Sequence, residues 1–236
     1  MPDPEVLDAL SRWHPPARVP EDDREIMYGV ARLYVKECGL AETVALTRAL
    51  VAFPTVSSEA PAPDNPAFTE MAQYLEAYAL DSKLGFSVYG AHDVWEVALG
   101  DGPPMLGFVM HADVVPVREI VASATVSFTD PAIHPSDWAS PPFQARVADD
   151  RLYGRGTEDD KGPIASVLVV MRTLSRMGLV PRGQVTAILG TGEETSDWGG
   201  MKRFVEAKRP PLHVISVDAT FPVVIAEAGF VAWTLG

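Results

Sequence analysis

Cysteine is almost missing. Cys38 stands alone among 236 residues, so no intramolecular disulfide can form, and its place in an amphipathic helical pattern reads as packing. A reducing compartment is the expectation. The cytoplasm fits it, because Met1–Leu10 has no basic start, no apolar core and no small-residue cleavage site of the kind a secretory leader carries. Long apolar runs are missing too. The longest, Ile164–Met171, falls far short of the ~20 residues needed to cross a bilayer, which argues against a membrane partner. Basic clusters are also lacking. With 19 Lys and Arg against 32 Asp and Glu the formal charge is −13, and no patch could neutralise several phosphates, which argues against nucleic acid.

What is present is a folding-competent chain. Hydrophobic residues make up 47% of it and mean hydropathy is slightly positive. At roughly 150 residues per domain this length gives one large domain or two small ones. The 18 glycines and 21 prolines stay below the roughly 25–30% that marks low complexity.

Periodicity orders the elements. Residues 22–38 and 41–52 place apolar side chains at helical spacing, and Gly39 between them reads as a stop. The proline-rich stretch 54–66 is a surface loop before a third helix over 67–80. From residue 85 the pattern shortens to FSVYG, WEVALG and MLGFVMHADVV, each bounded by Gly, Pro or Asp, which reads as successive strands. The continuous apolar run 105–110 predicts a strand buried on both faces, with His111 at its end. Residues 115–137 fit no period and read as an irregular insertion, with His134 and Trp138 in or beside a surface loop. A glycine-rich turn follows, then a helix over 162–177, a strand over 184–189, a helix over 200–208 and a strand over 213–217. Alternating helices and strands predict an α/β layer fold with right-handed crossovers.

Polar clusters sit just past predicted strand ends or beside the glycine-rich turn: His111 with Asp113, Asp159 with Asp160, Glu193 with Glu194, and Asp218. Open α/β sheets place their ligand sites at such ends. Alone, each has an ordinary structural reading. His111 suits a satisfied core histidine, Asp159 and Asp160 suit caps of the following helix, Glu193 and Glu194 suit a solvated turn, and Asp218 suits a turn before Pro222. Together they form a metal-site pattern, because coincidence at four ends is much rarer than at one. Arg155 and Lys161 read as exposed loop charges, and Trp198 and Phe221 as core packing.

In order along the chain, HAD at 111–113, GRGTEDDKG at 154–162, GTGEET at 190–195 and VDATFP at 217–222 resemble the signatures of a known family. They are similar to the dinuclear zinc peptidases related to aminoacylase, carboxypeptidase G, succinyl-diaminopimelate desuccinylase and dipeptidase V, nearest the dipeptidase V branch. The resemblance covers roughly residues 41–236. It implies a catalytic domain whose central sheet, mostly parallel or mixed, has helices on both faces. Residues 41–236 would be the N-terminal part of that domain and 1–40 its helical extension.

The resemblance also implies roles. Asp159 would bridge two Zn²⁺ ions about 3.5–4 Å apart, His111 and Asp218 would complete the ligands of one, and Glu194 would bind the other. Mn²⁺ or Co²⁺ would suit the same oxygen and imidazole donors. Asp113 would orient the imidazole through its other ring nitrogen, and Glu193 would be the general base of amide hydrolysis. A cis peptide between Asp159 and Asp160 is implied as well. Dipeptides are the implied substrate, with N-acyl amino acids as the alternative. Relatives carry a second, lid and dimerisation domain and a last histidine ligand, to which none of His14, His92, His134 and His213 corresponds. This chain is therefore expected to be the N-terminal part of a longer enzyme, a homo-oligomer if the full-length chain has that domain; the other expectation is a non-catalytic fragment that binds metal weakly. A nucleotide-binding module is disfavoured, because GRGT at 154–157 has neither the P-loop Lys-Ser pair nor dinucleotide spacing.

Overall fold

The structure, a computed structural model, describes residues 19–117, 138, 140–196 and 198–219. Expectations that fall on 118–137, on Phe221 and Pro222, or on residues beyond them lie outside the described residues.

A 3₁₀ turn at Glu21–Asp23 leads into α1 (Arg24–Tyr34), and a π-helical turn, Val35–Gly39, joins α1 to α2 (Leu40–Val51). The expected stop at Gly39 is not made. Gly39 has φ −60° and ψ −35°, ordinary right-handed values, and the chain stays helical through it. The glycine serves contact instead. A Cβ there would lie 3.1 Å from Val35 Cγ1 and 4.0 Å from Val169 Cγ1, so a bare Cα lets this turn approach the helix that carries Val169. Helix α3 (Pro66–Asp81) starts as its sequence predicts, with the Asn65 side chain accepting from the Ala67 N–H and proline in the first turn. Its inner face, Phe68, Met71, Ala72, Leu75 and Ala79, is buried at helical spacing.

The strands β1 (Gly85–Tyr89), β2 (Val94–Leu99), β3 (Pro104–His111), β6 (Gln184–Gly190) and β7 (His213–Ser216) form one sheet in the order β1-β2-β6-β3-β7. β1 with β2 and β2 with β6 are antiparallel, whereas β6 with β3 and β3 with β7 are parallel. The fold is thus mixed α/β. A separate hairpin, β4 (Arg146–Ala148) and β5 (Arg151–Tyr153), turns through Asp149 and Asp150, both at positive φ, as a two-residue loop between twisted strands requires.

Side-chain alternation sorts the strands between two cores. Trp95, Val97, Met110, Ala187 and Leu189 pack with α2, α3 and α4 (Lys161–Arg176) on one face. Val94 and Ile188 meet Phe204 of α5 (Gly199–Ala207) on the other. β3 departs from expectation at its start. Met105 is 40% exposed, because among the described residues α5 covers the β2 side of its face and leaves β7 and the beginning of β3 open. The C-terminal ends of the parallel strands β3, β6 and β7 consequently emerge along one edge, with His111 at the first, Glu193 beyond the second and Asp218 beyond the third.

The lysine after α5, Lys208, holds that helix to the sheet by an ion pair with Glu96 of β2, whose side chain is 5% exposed against 26% for the lysine. Lys208→Ala would strand a buried carboxylate, so it should lower the unfolding free energy by about 2 kcal/mol in urea titration. Glu96→Gln, which removes the charge together with its need for a partner, should cost less.

Candidate metal centre

His111 is 2% exposed and its ring is held from below. Nδ1 lies 3.0 Å from the backbone carbonyl of Asp113; since a carbonyl only accepts, Nδ1 carries the proton and donates it. Nε2 faces outward, 2.7 Å from Asp159 Oδ1 and 3.6 Å from Asp218 Oδ2, yet it is buried and aligned for a proper hydrogen bond with neither. Burial opposes charging of this imidazole, but the carboxylates of Asp113 and Asp159 beside it outweigh burial and push the pKa up to about 11.

Two groups of ligand-type atoms converge, each within 4.8 Å: His111 with Asp159 and Glu194, and His111 with Glu193 and Asp218. All four residues expected to bind metal, and the expected base Glu193, therefore meet in one place. His92 is elsewhere, its Nδ1 accepting from Trp95 Nε1 at 3.1 Å, and His213 lies on β7, outside both groups.

Asp113 is fully buried, and its carboxylate both lies beside the imidazole and holds a neighbouring turn. Oδ1 is 3.5 Å from His111 Nδ1, while the backbone carbonyl makes the closer contact. The carboxylate also accepts from the backbone N–H groups of Glu193 (3.2 Å) and Glu194 (3.0 Å) and from the Ser57 hydroxyl (2.7 Å). Burial raises the pKa of Glu193, and burial reinforced by Asp159 pushes that of Glu194 up to about 7.

The Asp159–Asp160 peptide is cis. The Asp159 carboxylate lies against the imidazole, whose nearness lowers the Asp159 pKa. Asp160 occupies the N-cap position of α4 but caps nothing with its side chain. Its Oδ2 accepts from the His111 N–H at 3.1 Å, and Oδ1 is buried without a partner. Burial pushes this carboxyl up to about 7.

Three residues correct the sequence-based view. Lys161 is not an exposed loop charge; it is 0% exposed, and burial pushes its ammonium down to about 7. Trp198 is not core packing; it is 47% exposed and, with Pro61, Pro63 and Met201, walls a cleft that runs from His111, Glu193 and Asp218. Ser57 was passed over within a proline-rich loop, where only its small polar side chain signalled anything. Arg155 places its guanidinium over the Trp138 ring at 5.3 Å.

One imidazole, several carboxylates and no thiolate make a donor set for a hard or borderline divalent cation, and the misaligned Nε2 and the orphaned Asp160 oxygen are groups that positive charge would satisfy. The family model described as peptidase family M20/M25/M40 matches residues 107–232, just over half of the chain. The chain belongs to this family. A Staphylococcus epidermidis relative is 31% identical over 177 residues, 75% of this chain and 34% of that one. The Beta-Ala-Xaa dipeptidase of Lactobacillus delbrueckii subsp. lactis is 33% identical over 134 residues, 56% of this chain and 25% of its own length. The chain thus spans about a third or less of these M20 relatives. Among solved structures, human carnosine dipeptidase 1 superposes with a TM-score of 0.63 at 17% identity, covering 86% of this chain and 42% of that one. The M20 metallo-carboxypeptidase Sso-CP2 of Sulfolobus solfataricus gives 0.58 at 21%, covering 74% and 37%. At these identities the likeness concerns the fold.

The M20 signature GRGTEDDKG contains a glycine that the turn cannot lose. A Cβ on Gly162 would lie 2.1 Å from the Thr157 carbonyl oxygen, closer than any relaxation of the side chain can relieve. Gly162→Ala should therefore open the 157–162 turn and lower the thermal midpoint by roughly 10 °C or more, as read by differential scanning calorimetry.

Proposed function

We propose that this chain carries the catalytic half-site of a metal-dependent dipeptidase, with residues 41–236 as the N-terminal part of the catalytic domain and 1–40 as its helical extension. The observation that carries the proposal is the convergence of His111, Asp159, Glu193, Glu194 and Asp218 at one edge of the sheet in a chain of the M20 family. The similarity to a Beta-Ala-Xaa dipeptidase favours short peptides as substrates.

His111, Asp159, Glu194 and Asp218 would hold two divalent cations, and their oxygen and imidazole donors suit Zn²⁺, Mn²⁺ or Co²⁺. When bound, such ions polarise the scissile carbonyl and acidify the attacking water. The remaining work falls to side chains. Glu193, beside the ligand Glu194 and raised in pKa by burial, accepts a proton from the water as its oxygen bonds to the carbonyl carbon. The C–N bond then breaks, and Glu193 returns that proton to the leaving amine nitrogen, ending as the carboxylate it began as. No serine or cysteine nucleophile takes part. His111 keeps Nε2 directed at the centre because Nδ1 is committed to the Asp113 carbonyl.

Elemental analysis of the purified chain, paired with dipeptide hydrolysis before and after chelation, tests this. Two zinc ions and chelator-sensitive hydrolysis are expected of a self-sufficient site. Turnover only in a longer chain that extends past Gly236 would place part of the site in that extension, whereas cleavage of acetylated amino acids in preference to dipeptides would assign the deacylase alternative. No zinc and no hydrolysis by either chain would end the proposal. Glu193→Gln should lower kcat about 10³-fold while zinc content and the thermal midpoint stay at the wild-type values.

A further inference from the structure

Beneath the metal centre runs a connected path of buried polar groups that the expected roles do not use. It begins at Lys161, next in sequence to Asp159 and Asp160. The lysine stem threads under Gly156, whose φ is +84° and whose missing Cβ would otherwise stand 3.1 Å from Lys161 Cδ and 3.0 Å from Val114 Cγ1. The Nζ emerges to donate to the Phe53 carbonyl at 2.6 Å. Phe53 opens a short tightly turned segment, residues 53–57, in which the Thr55 and Val56 N–H groups donate to the Phe53 and Pro54 carbonyls, laid along residues 112–114. Thr55, fully buried, donates its hydroxyl to the Ala112 carbonyl at 2.7 Å and accepts from the Val114 N–H at 2.9 Å. Val56 bridges Val114 in parallel fashion. Ser57, at the end of this strap, donates to Asp113 Oδ2 at 2.7 Å.

That last bond decides what the Asp113 carboxylate can do. Oδ2 already accepts from the Glu194 N–H and Oδ1 from the Glu193 N–H, yet Oδ1 also stands 3.5 Å from His111 Nδ1. A modest rotation of the carboxylate would trade the two backbone donors for a charge-assisted bond to the imidazole, which is stronger than a neutral one. The Ser57 hydroxyl opposes that rotation, and the strap that carries it is fastened at Lys161 and Thr55. We propose that Ser57 is a positioning residue for Glu193 and Glu194, acting through Asp113, and that Lys161 anchors the strap that presents it. The consequence for metal and substrate rests on the function proposed above; the mechanical link does not.

The test separates the two. In the 236-residue chain, amide hydrogen exchange at Glu193 and Glu194 is followed by NMR alongside Zn²⁺ titration. Ser57→Ala should speed exchange at these two amides about tenfold or more, leave the amides of α4 unchanged, and weaken Zn²⁺ binding roughly tenfold, the scale typical of groups that orient ligands. Ser57→Thr, which keeps the hydroxyl, should stay within about twofold of wild type in both, by the same scale. Unchanged exchange in Ser57→Ala would overturn the proposal, as would equal losses in the Ala and Thr variants, which would show packing and not the hydroxyl to matter. Should Ser57→Ala fail to fold, Lys161→Met, which keeps volume and removes the tie to Phe53, must show the same two amides loosened, and their wild-type exchange would overturn the proposal instead. Absence of Zn²⁺ binding by the wild type would count against the metal centre and leave the amide comparison to decide the strap.

Discussion

Carboxylates crowded around one imidazole repel one another, and the arrangement of the whole edge of the sheet answers to that repulsion. Asp159, Glu194, Glu193 and Asp218 all bring an oxygen close to His111 Nε2, and Asp160 lies buried behind them. Ionisation follows the crowding and the burial: burial first, and neighbouring carboxylates after it, lift Asp160 and Glu194 to about 7, while the imidazole beside these acids rises to about 11. Acids gathered this closely favour positive charge at this edge of the sheet. A divalent cation meets that demand more fully than a proton, since it offers more charge and several coordination directions. The fold holds the acids together by rigid means, with backbone N–H donors, a buried aspartate and three parallel strand ends, so that they do not relax apart.

Parallel pairing supplies those strand ends. Had β3 and β6 been antiparallel, His111 and the 193–194 turn would have emerged at opposite edges. The antiparallel pair β1 and β2 contributes differently. The Thr191 hydroxyl donates to the carbonyls of His92 and Asp93, pinning the β1–β2 turn to the start of the GEE segment, and Gly200 lets Asp93 approach closely enough that a Cβ would meet it at 2.8 Å. The cleft beside the metal centre thus has one wall built from a hairpin turn and another from the N-terminal end of α5, with Trp198 at the corner.

Much of this was legible in the sequence because it depends on local rules. Helix α3 announced itself through Asn65, Pro66 and a spaced apolar face, and the strand before His111 through an unbroken apolar run. The six candidate residues were legible because they recur in order beside glycine-rich turns. What was not legible depends on tertiary context. Gly39 carries the same local signal whether it ends a helix or lets one approach a neighbour, and the neighbour, Val169, is far away in sequence. A lysine in a loop is exposed by default, and only the channel left by the bare Gly156 and the waiting Phe53 carbonyl make burial of Lys161 tolerable. Ser57 had no periodic signal at all, since its meaning lies in a carboxylate more than fifty residues away.

The spacing of His111 and Asp113 follows from extended backbone and from a division of labour within one residue. In such a backbone alternate side chains share a side, so an aspartate two positions after the histidine stays within reach of it. The intervening Ala112 points away, fully buried, with its carbonyl taken by Thr55. Asp113 then uses its main chain to fix Nδ1 and its side chain to hold the turn of Glu193 and Glu194. An asparagine would keep the first function and offer only one oxygen for the second, while any apolar residue would keep only the first. Because the carbonyl already fixes which imidazole nitrogen faces outward, the carboxylate is free to link two strand ends, and the placement of Glu193 and that of Glu194 become properties of a single buried side chain.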